Sequence, residues 1–118
     1  MADKTYPLHF NLKNAGHFGW PGLDGYSYSE RTHFERVSAA RFKVSTSHGP
    51  VKSTVSDRVY LVLDGDGWFD VEGTRFDVKK DDVVIVPRNS RYDYGGQIEL
   101  FLVHSPGFDR LGEISFTP

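Results

Sequence analysis

Val59-Tyr-Leu-Val-Leu63 is a near-continuous run of β-branched, aromatic and aliphatic residues, closed by Asp64-Gly-Asp-Gly67 and followed by Trp68-Phe-Asp-Val-Glu72, which alternates apolar and polar residues up to Gly73. Such runs suit the pleated, half-buried surface of a sheet, and Asp-Gly pairs between two of them are a short-range hairpin signal. The spacing predicts a β-hairpin that turns at Asp64 to Gly67. It sets the period here at two, which excludes a helix.

The same period recurs along most of the chain. Arg36 to Thr46 alternates around Val37, Ala39, Phe42, Val44 and Thr46, and Gly49-Pro50 supplies a turn before the short element Val51 to Thr54. Phe76-Asp-Val78 alternates again, Lys79-Lys-Asp-Asp82 reads as a polar turn, and Val83 to Val86 is a buried strand stopped by Pro87. Asn89-Ser90 carries a further turn, because Asn tolerates the left-handed region. Tyr92-Asp-Tyr94 and Ile98 to Val103 flank Gly95-Gly96. Strands at intervals of roughly 8 to 12 residues, with no helical period sustained over three turns, mark an all-β sandwich or barrel. Residues 1 to 30 follow neither period, and Gly16, Gly19, Gly22 and Gly25 alternate with Phe18, Trp20, Tyr26 and Tyr28. This reads as an arm of loops and short strands that seals one end of the core, with a binding lid as the alternative.

The chain has 118 residues, the size of a single domain with a real core. We divide it into an arm and first strands (1–35), a barrel core (36–108) and a non-regular tail (109–118). No cysteine is present, so no disulfide framework exists. Lys and Arg number 14 against 16 Asp and Glu, a net charge of -2 spread along the chain, which argues against nucleic acid as a partner. Met1 to Pro7 lacks an apolar h-region and no apolar run reaches the ~20 residues that span a bilayer, so no membrane partner is expected. The expected location is the cytoplasm; a mature chain whose signal has been removed is the alternative.

The strand and turn pattern over about residues 36–108 resembles the cupin superfamily, as a small single-domain barrel or jelly roll. With the closing glycine of the family's first motif set on Gly65, its glutamate slot falls on Arg58 and its two histidine slots on Val51 and Ser53, or on Lys52 and Thr54 in the other register. The second motif lands on Asp81, Pro87, Asn89, Tyr92 and Gly96. Pro87 and the turn residues fit the scaffold, whereas each metal-ligand position is changed. Val offers no donor, and a guanidinium stays protonated, so Arg58 would set a permanent positive charge beside a divalent cation. The expectation is therefore no metal and no cofactor. The alternative donor set is His33 with Glu35, which would share a face if they lay on a strand.

Strand parity under the same register turns Val51 and Ser53 inward, groups Arg58 with Tyr60 and Val62, and groups Tyr92 with Tyr94. The candidate pocket is Ser53, Arg58, Tyr60 and Tyr92, with His48 at the barrel mouth. An arginine fork with phenolic donors suits a carboxylate, a phosphate or another polar oxygen compound. The bland alternative is a filled barrel whose Arg58 is neutralised by Asp57, Glu99 or Asp93. Two functions follow. One is a metal-independent binder of a small anionic or polar molecule; the other, by analogy with metal-free members of the superfamily, is an isomerase, epimerase or cyclase acting on a sugar-like or polyketide-like substrate. Phe108, Leu111, Ile114 and Phe116 in the tail favour a homodimer.

Overall fold

Among the described residues nine antiparallel strands form one curled sheet: β1 (Gly16–Trp20), β2 (Leu23–Ser27), β3 (Ser38–Val44), β4 (Val51–Ser53), β5 (Asp57–Val71), β6 (Thr74–Lys79), β7 (Val83–Val86), β8 (Tyr92–Ser105) and β9 (Glu113–Ser115). The computed structural model describes residues 8–30 and 33–116. Met1 to Pro7, read above for a targeting signal, lies outside the described residues, as do Arg31, Thr32, Thr117 and Pro118. The described helical segments are two short 3₁₀ turns, Leu12–Asn14 and Arg110–Gly112. No helix among the described residues is long and apolar enough to cross a membrane.

The two longest strands carry the architecture. β8 pairs with β5 from Val71↔Tyr92 to Asp57↔Ser105, with β3 along its second half, and with β4 at Val51↔Tyr92. β6 and β7 lie end to end along the other edge of β5. β1 and β2 extend the sheet beyond β3, and β9 pairs with β4. The tail read as non-regular thus supplies a strand, and the arm supplies two.

The hairpin expected at Asp64 to Gly67 is absent. β5 continues through these residues, with Asp64↔Glu99, Gly65↔Ile98, Asp66↔Gln97 and Gly67↔Gly96 all paired. The glycines serve close approach instead of reversal. A Cβ on Gly65, whose φ is +83°, would lie 1.9 Å from the Gln97 carbonyl oxygen, and one on Gly67 would lie 2.2 Å from that of Gly95. Reversal comes at Glu72-Gly73, with φ of 51° and 85°, the sign pair that a two-residue turn between twisted strands needs. A β-bulge between Val62 and Asp64 adds one residue to β5 at the point where the Lys79–Asp82 turn docks, Asp81 N donating to the Val62 carbonyl at 2.9 Å. Arg58, Tyr60 and Val62 face inward before the bulge and Phe69 after it, all with 3% exposure or less.

The core follows the register. Val44, Val62, Leu100 and Leu102 pack with Tyr60, Phe69 and Tyr94 on the concave face. Phe69 and Tyr94 are cross-strand partners, with ring centroids 4.9 Å apart and 17° between planes. Burying each of these large side chains stabilises by about 1.5–3 kcal/mol. A substitution pair tests the reading of the glycines. Gly65→Ala is expected to destabilise the fold by more than about 4 kcal/mol, since backbone blocks its Cβ. Gly73→Ala, which meets nothing within 4 Å, should cost only the left-handed penalty of about 1–2 kcal/mol. Urea unfolding of both proteins gives the comparison, and equal losses would return Asp64 to Gly67 to the role of an ordinary turn.

Candidate functional site

The barrel is open, not filled. Its concave face encloses a cavity of about 1160 Å³, at or above the usual range for small-molecule sites. The strand register arranges the floor in rows. Ser38, His104 and Arg58 stand side by side on β3, β8 and β5; Ala40, Leu102 and Tyr60 form the next row, and Phe42 and Leu100 the one beyond. Phe18 and Trp20 of β1 join His48, Val51 and Glu113 around the space. One end is therefore polar and the other aromatic.

Arg58 is 3% exposed and lies at the centre of a closed network. Its Nη1 donates to the Tyr92 hydroxyl and its Nη2 to the Glu113 carboxylate, while the hydroxyls of Tyr60 and Tyr92 are 2.6 Å apart. Burial works against the guanidinium charge, but the Tyr92 hydroxyl and the Glu113 carboxylate hold the group more firmly protonated than usual. Burial likewise raises the phenols of Tyr60, Tyr92 and Tyr94, so all three are neutral near pH 7. The counter-ion is none of the three expected from sequence. Asp57 pairs with Arg88, Glu99 with Arg41, and the Asp93 carboxylate accepts from Gly49 N at 2.8 Å. Glu113 was overlooked because the tail gives no periodic signal.

His48 sits in the β3–β4 connection with its ring stacked on Tyr94, centroids 4.8 Å apart at 21°, and edge-on to Trp20 at 5.6 Å. Its Nδ1 lies 2.8 Å from the Gly49 carbonyl oxygen. A carbonyl only accepts, so Nδ1 carries the proton and the neutral ring keeps its lone pair on Nε2. Burial, with a further contribution from Arg58, lowers the pKa of His48. His104 is an inward residue of β8. Burial and then Arg58 depress it to about 3. Its alternation with Leu100 and Leu102 was the available signal.

The remaining expected site residues divide. Tyr60, Arg58 and His48 line the cavity, whereas Tyr92 does not line it and joins them through its hydroxyl, 2.6 Å from that of Tyr60. Ser53 does not join them, because its hydroxyl accepts from Ser56 N at 2.9 Å and closes the turn into β5. The fork of Arg58 is occupied at both Nη atoms, so it is not the free anion clamp expected. Phe18 and Trp20 were read as sealing the core; they are 37% and 46% exposed and line the cavity instead. His33 lies in a turn, not on a strand. Among the described residues no three His, Cys, Asp or Glu side chains converge as a metal site. Val51, Ser53, Arg58 and Tyr92 do not fit the metal that cupin barrels commonly hold at these slots, because the set brings a fixed cation and no imidazole or carboxylate.

No family model matches the chain, and neither does any curated protein. Solved structures do. A Streptomyces PAC13 variant with a histidine-to-glutamine change, bound to uridine, superimposes with a TM-score of 0.87 at 21% identity, covering 94% of this chain and 92% of that one. Pac13, described as a nucleoside dehydratase, gives 0.85 at 23% identity, covering 92% and 90%. KdgF from Halomonas sp. gives 0.74 at 15% identity, covering 86% and 96%. Oxalate decarboxylase from Bacillus subtilis gives 0.82 at 12% identity, with 98% of this chain spanning 35% of that one. The chain thus has the cupin fold, with the metal-ligand positions of both motifs replaced.

The depressed histidines predict a pH response. In the unfolded chain each returns to about 6.5. Above that value both states are neutral and the stability is complete; as pH falls below 6.5 the unfolded chain takes up the proton first, and stability drops by up to about 1.4 kcal/mol per pH unit for each such group, for His104 until pH nears its folded value of about 3. Urea midpoints should therefore fall between pH 7 and pH 5, and His104→Gln should fall less steeply. An identical slope in that variant would contradict the neutral burial of His104.

Proposed function

We propose that the barrel binds a small polar molecule bearing a flat ring, of the nucleoside class, and acts on it as a metal-independent proton-transfer enzyme of the elimination type. The observation that carries this reading is His48, a cavity imidazole whose Nδ1–H is fixed on the Gly49 carbonyl and whose Nε2 lone pair is left as a base. Its lowered pKa keeps it unprotonated at neutral pH. Phe18, Trp20 and Phe42 give stacking surfaces at the same end of the cavity. In such a reaction the base removes a proton from a carbon next to an electron-withdrawing group, and a β-hydroxyl leaves with a proton as water. The likeness in shape to a nucleoside dehydratase supports the substrate class, and the pairing of Arg58 with Glu113 favours a neutral ligand over an anion.

Trp20 provides the measurement, since the other tryptophan, Trp68, is covered by Arg75 with its guanidinium 4.2 Å from the ring centroid. Uridine should quench Trp20 fluorescence saturably, and Trp20→Leu should abolish the signal. His48→Gln should keep uridine affinity within about threefold while lowering dehydration of a nucleoside that carries an electron-withdrawing group beside the reacting carbon by about 10²-fold or more. Binding with no turnover by the unaltered protein would leave a binder without chemistry, and no binding would remove the nucleoside class.

The homodimer is retained as a second proposal. Phe108, Leu111 and Ile114 are 41%, 94% and 40% exposed near the β9 end of the sheet. Light scattering at high micromolar concentration should give twice the 13.4 kDa of the chain; a single-chain mass would reject pairing.

A further inference from the structure

His104 stands in the polar row between Ser38 and Arg58, directly paired with each across the sheet, and lines the cavity. The elimination proposed above uses His48 and leaves this second imidazole without a task. Its surroundings specify where its proton sits. The Ser38 hydroxyl oxygen accepts from Phe108 N at 2.9 Å, so its own proton needs an acceptor. The His104 Nδ1, at 3.4 Å, is the side-chain nitrogen beside it. On the other side Arg58 brings donors only. Its Nε finds no partner among the described residues, so the His104 ring does not accept from it. The Ser38 contact points to one arrangement, with Nδ1 as acceptor and Nε2 as donor.

We propose that the two cavity histidines are held as opposite neutral tautomers, His48 with its proton on Nδ1 and His104 with its proton on Nε2, so that the cavity presents a base near its aromatic end and an N–H donor in its polar row. Ser38 is the positioning residue for the second of these. Under the elimination reading, on which this assignment of roles rests, the His104 donor faces a ligand oxygen that gains negative charge as the proton leaves carbon. A neutral imidazole suits that role, since it donates a hydrogen bond without having to lose its proton.

Long-range proton–nitrogen correlation spectra of ¹⁵N-histidine-labelled protein at pH 7 read each tautomer directly, and His48→Gln and His104→Gln assign the signals. His48 is expected to show its unprotonated nitrogen at Nε2 and His104 at Nδ1. Ser38→Ala should release His104 into averaging between tautomers, and Ser38→Thr, which keeps the hydroxyl, should restore the single form. A His104 proton on Nδ1, averaged signals in the unaltered protein, or an unchanged His104 in folded Ser38→Ala would each overturn the inference. Should Ser38→Ala not fold, the spectrum of the unaltered protein decides alone. Uridine takes no part in this readout, so its failure to bind would count against the proposed function only.

Discussion

A guanidinium that cannot lose its charge sits inside the barrel, and the site is organised around keeping it there. Removing a cation from water costs several kcal/mol unless a counter-charge and hydrogen bonds replace the hydration. Arg58 obtains these from Glu113 on β9 and from Tyr92 on β8, with Tyr60 bonded in turn to Tyr92. The closing strand of the sheet is thereby tied to its centre by an ion pair between residues 55 positions apart in sequence. The same charge reaches the chemistry. It contributes to lowering both His48 and His104, and so helps keep two imidazoles neutral in one cavity.

An arginine at the slot where the family places a metal-binding glutamate changes what such a barrel can do. A divalent ion polarises a substrate and sets the ionisation of whatever it touches. Here the fixed charge is spent on an internal carboxylate and a phenol, so under the proposed function polarisation would fall to hydrogen-bond donors and tautomers. Preorganised dipoles can serve that purpose in an enclosed site, provided that they are aimed before the ligand arrives. Gly49 does this for His48, and its own N–H is held in turn by the Asp93 carboxylate.

Much of the fold was legible because period-two alternation states which side chains share a face. Arg58, Tyr60 and Val62 are inward as parity requires, and the turns at Gly49, at Asp81 and at Asn89 have the positive φ that their residues tolerate. Asp64 to Gly67 misled because Asp-Gly pairs carry the same local signature whether the chain reverses or two backbones merely crowd together; only the partner strand distinguishes the cases. The cavity lining was legible in part. His48, Arg58 and Tyr60, which line it, were reached from the turn signal, a motif slot and strand parity in turn, while Ser53 lies outside it because parity gives direction and not the partner a hydroxyl will take. Glu113 had no signal, since its role depends on the tail folding back across the sheet.

The bulge in β5 has an implication for how this chain can change over generations. Val62 and Asp64 straddle one surplus residue, so the faces are exchanged between the first and second halves of the strand. Losing that one residue would close the bulge and leave Phe69 opposite Tyr94 on the inner face, with Arg58 and Tyr60 where they are. This strand can therefore lose one residue at the bulge without exposing its core, whereas a second loss would turn Phe69 out and Trp68 inward. The aromatic stack beneath the cavity and the polar row above it belong to different reading frames of one strand, and they can drift apart in sequence without drifting apart in space.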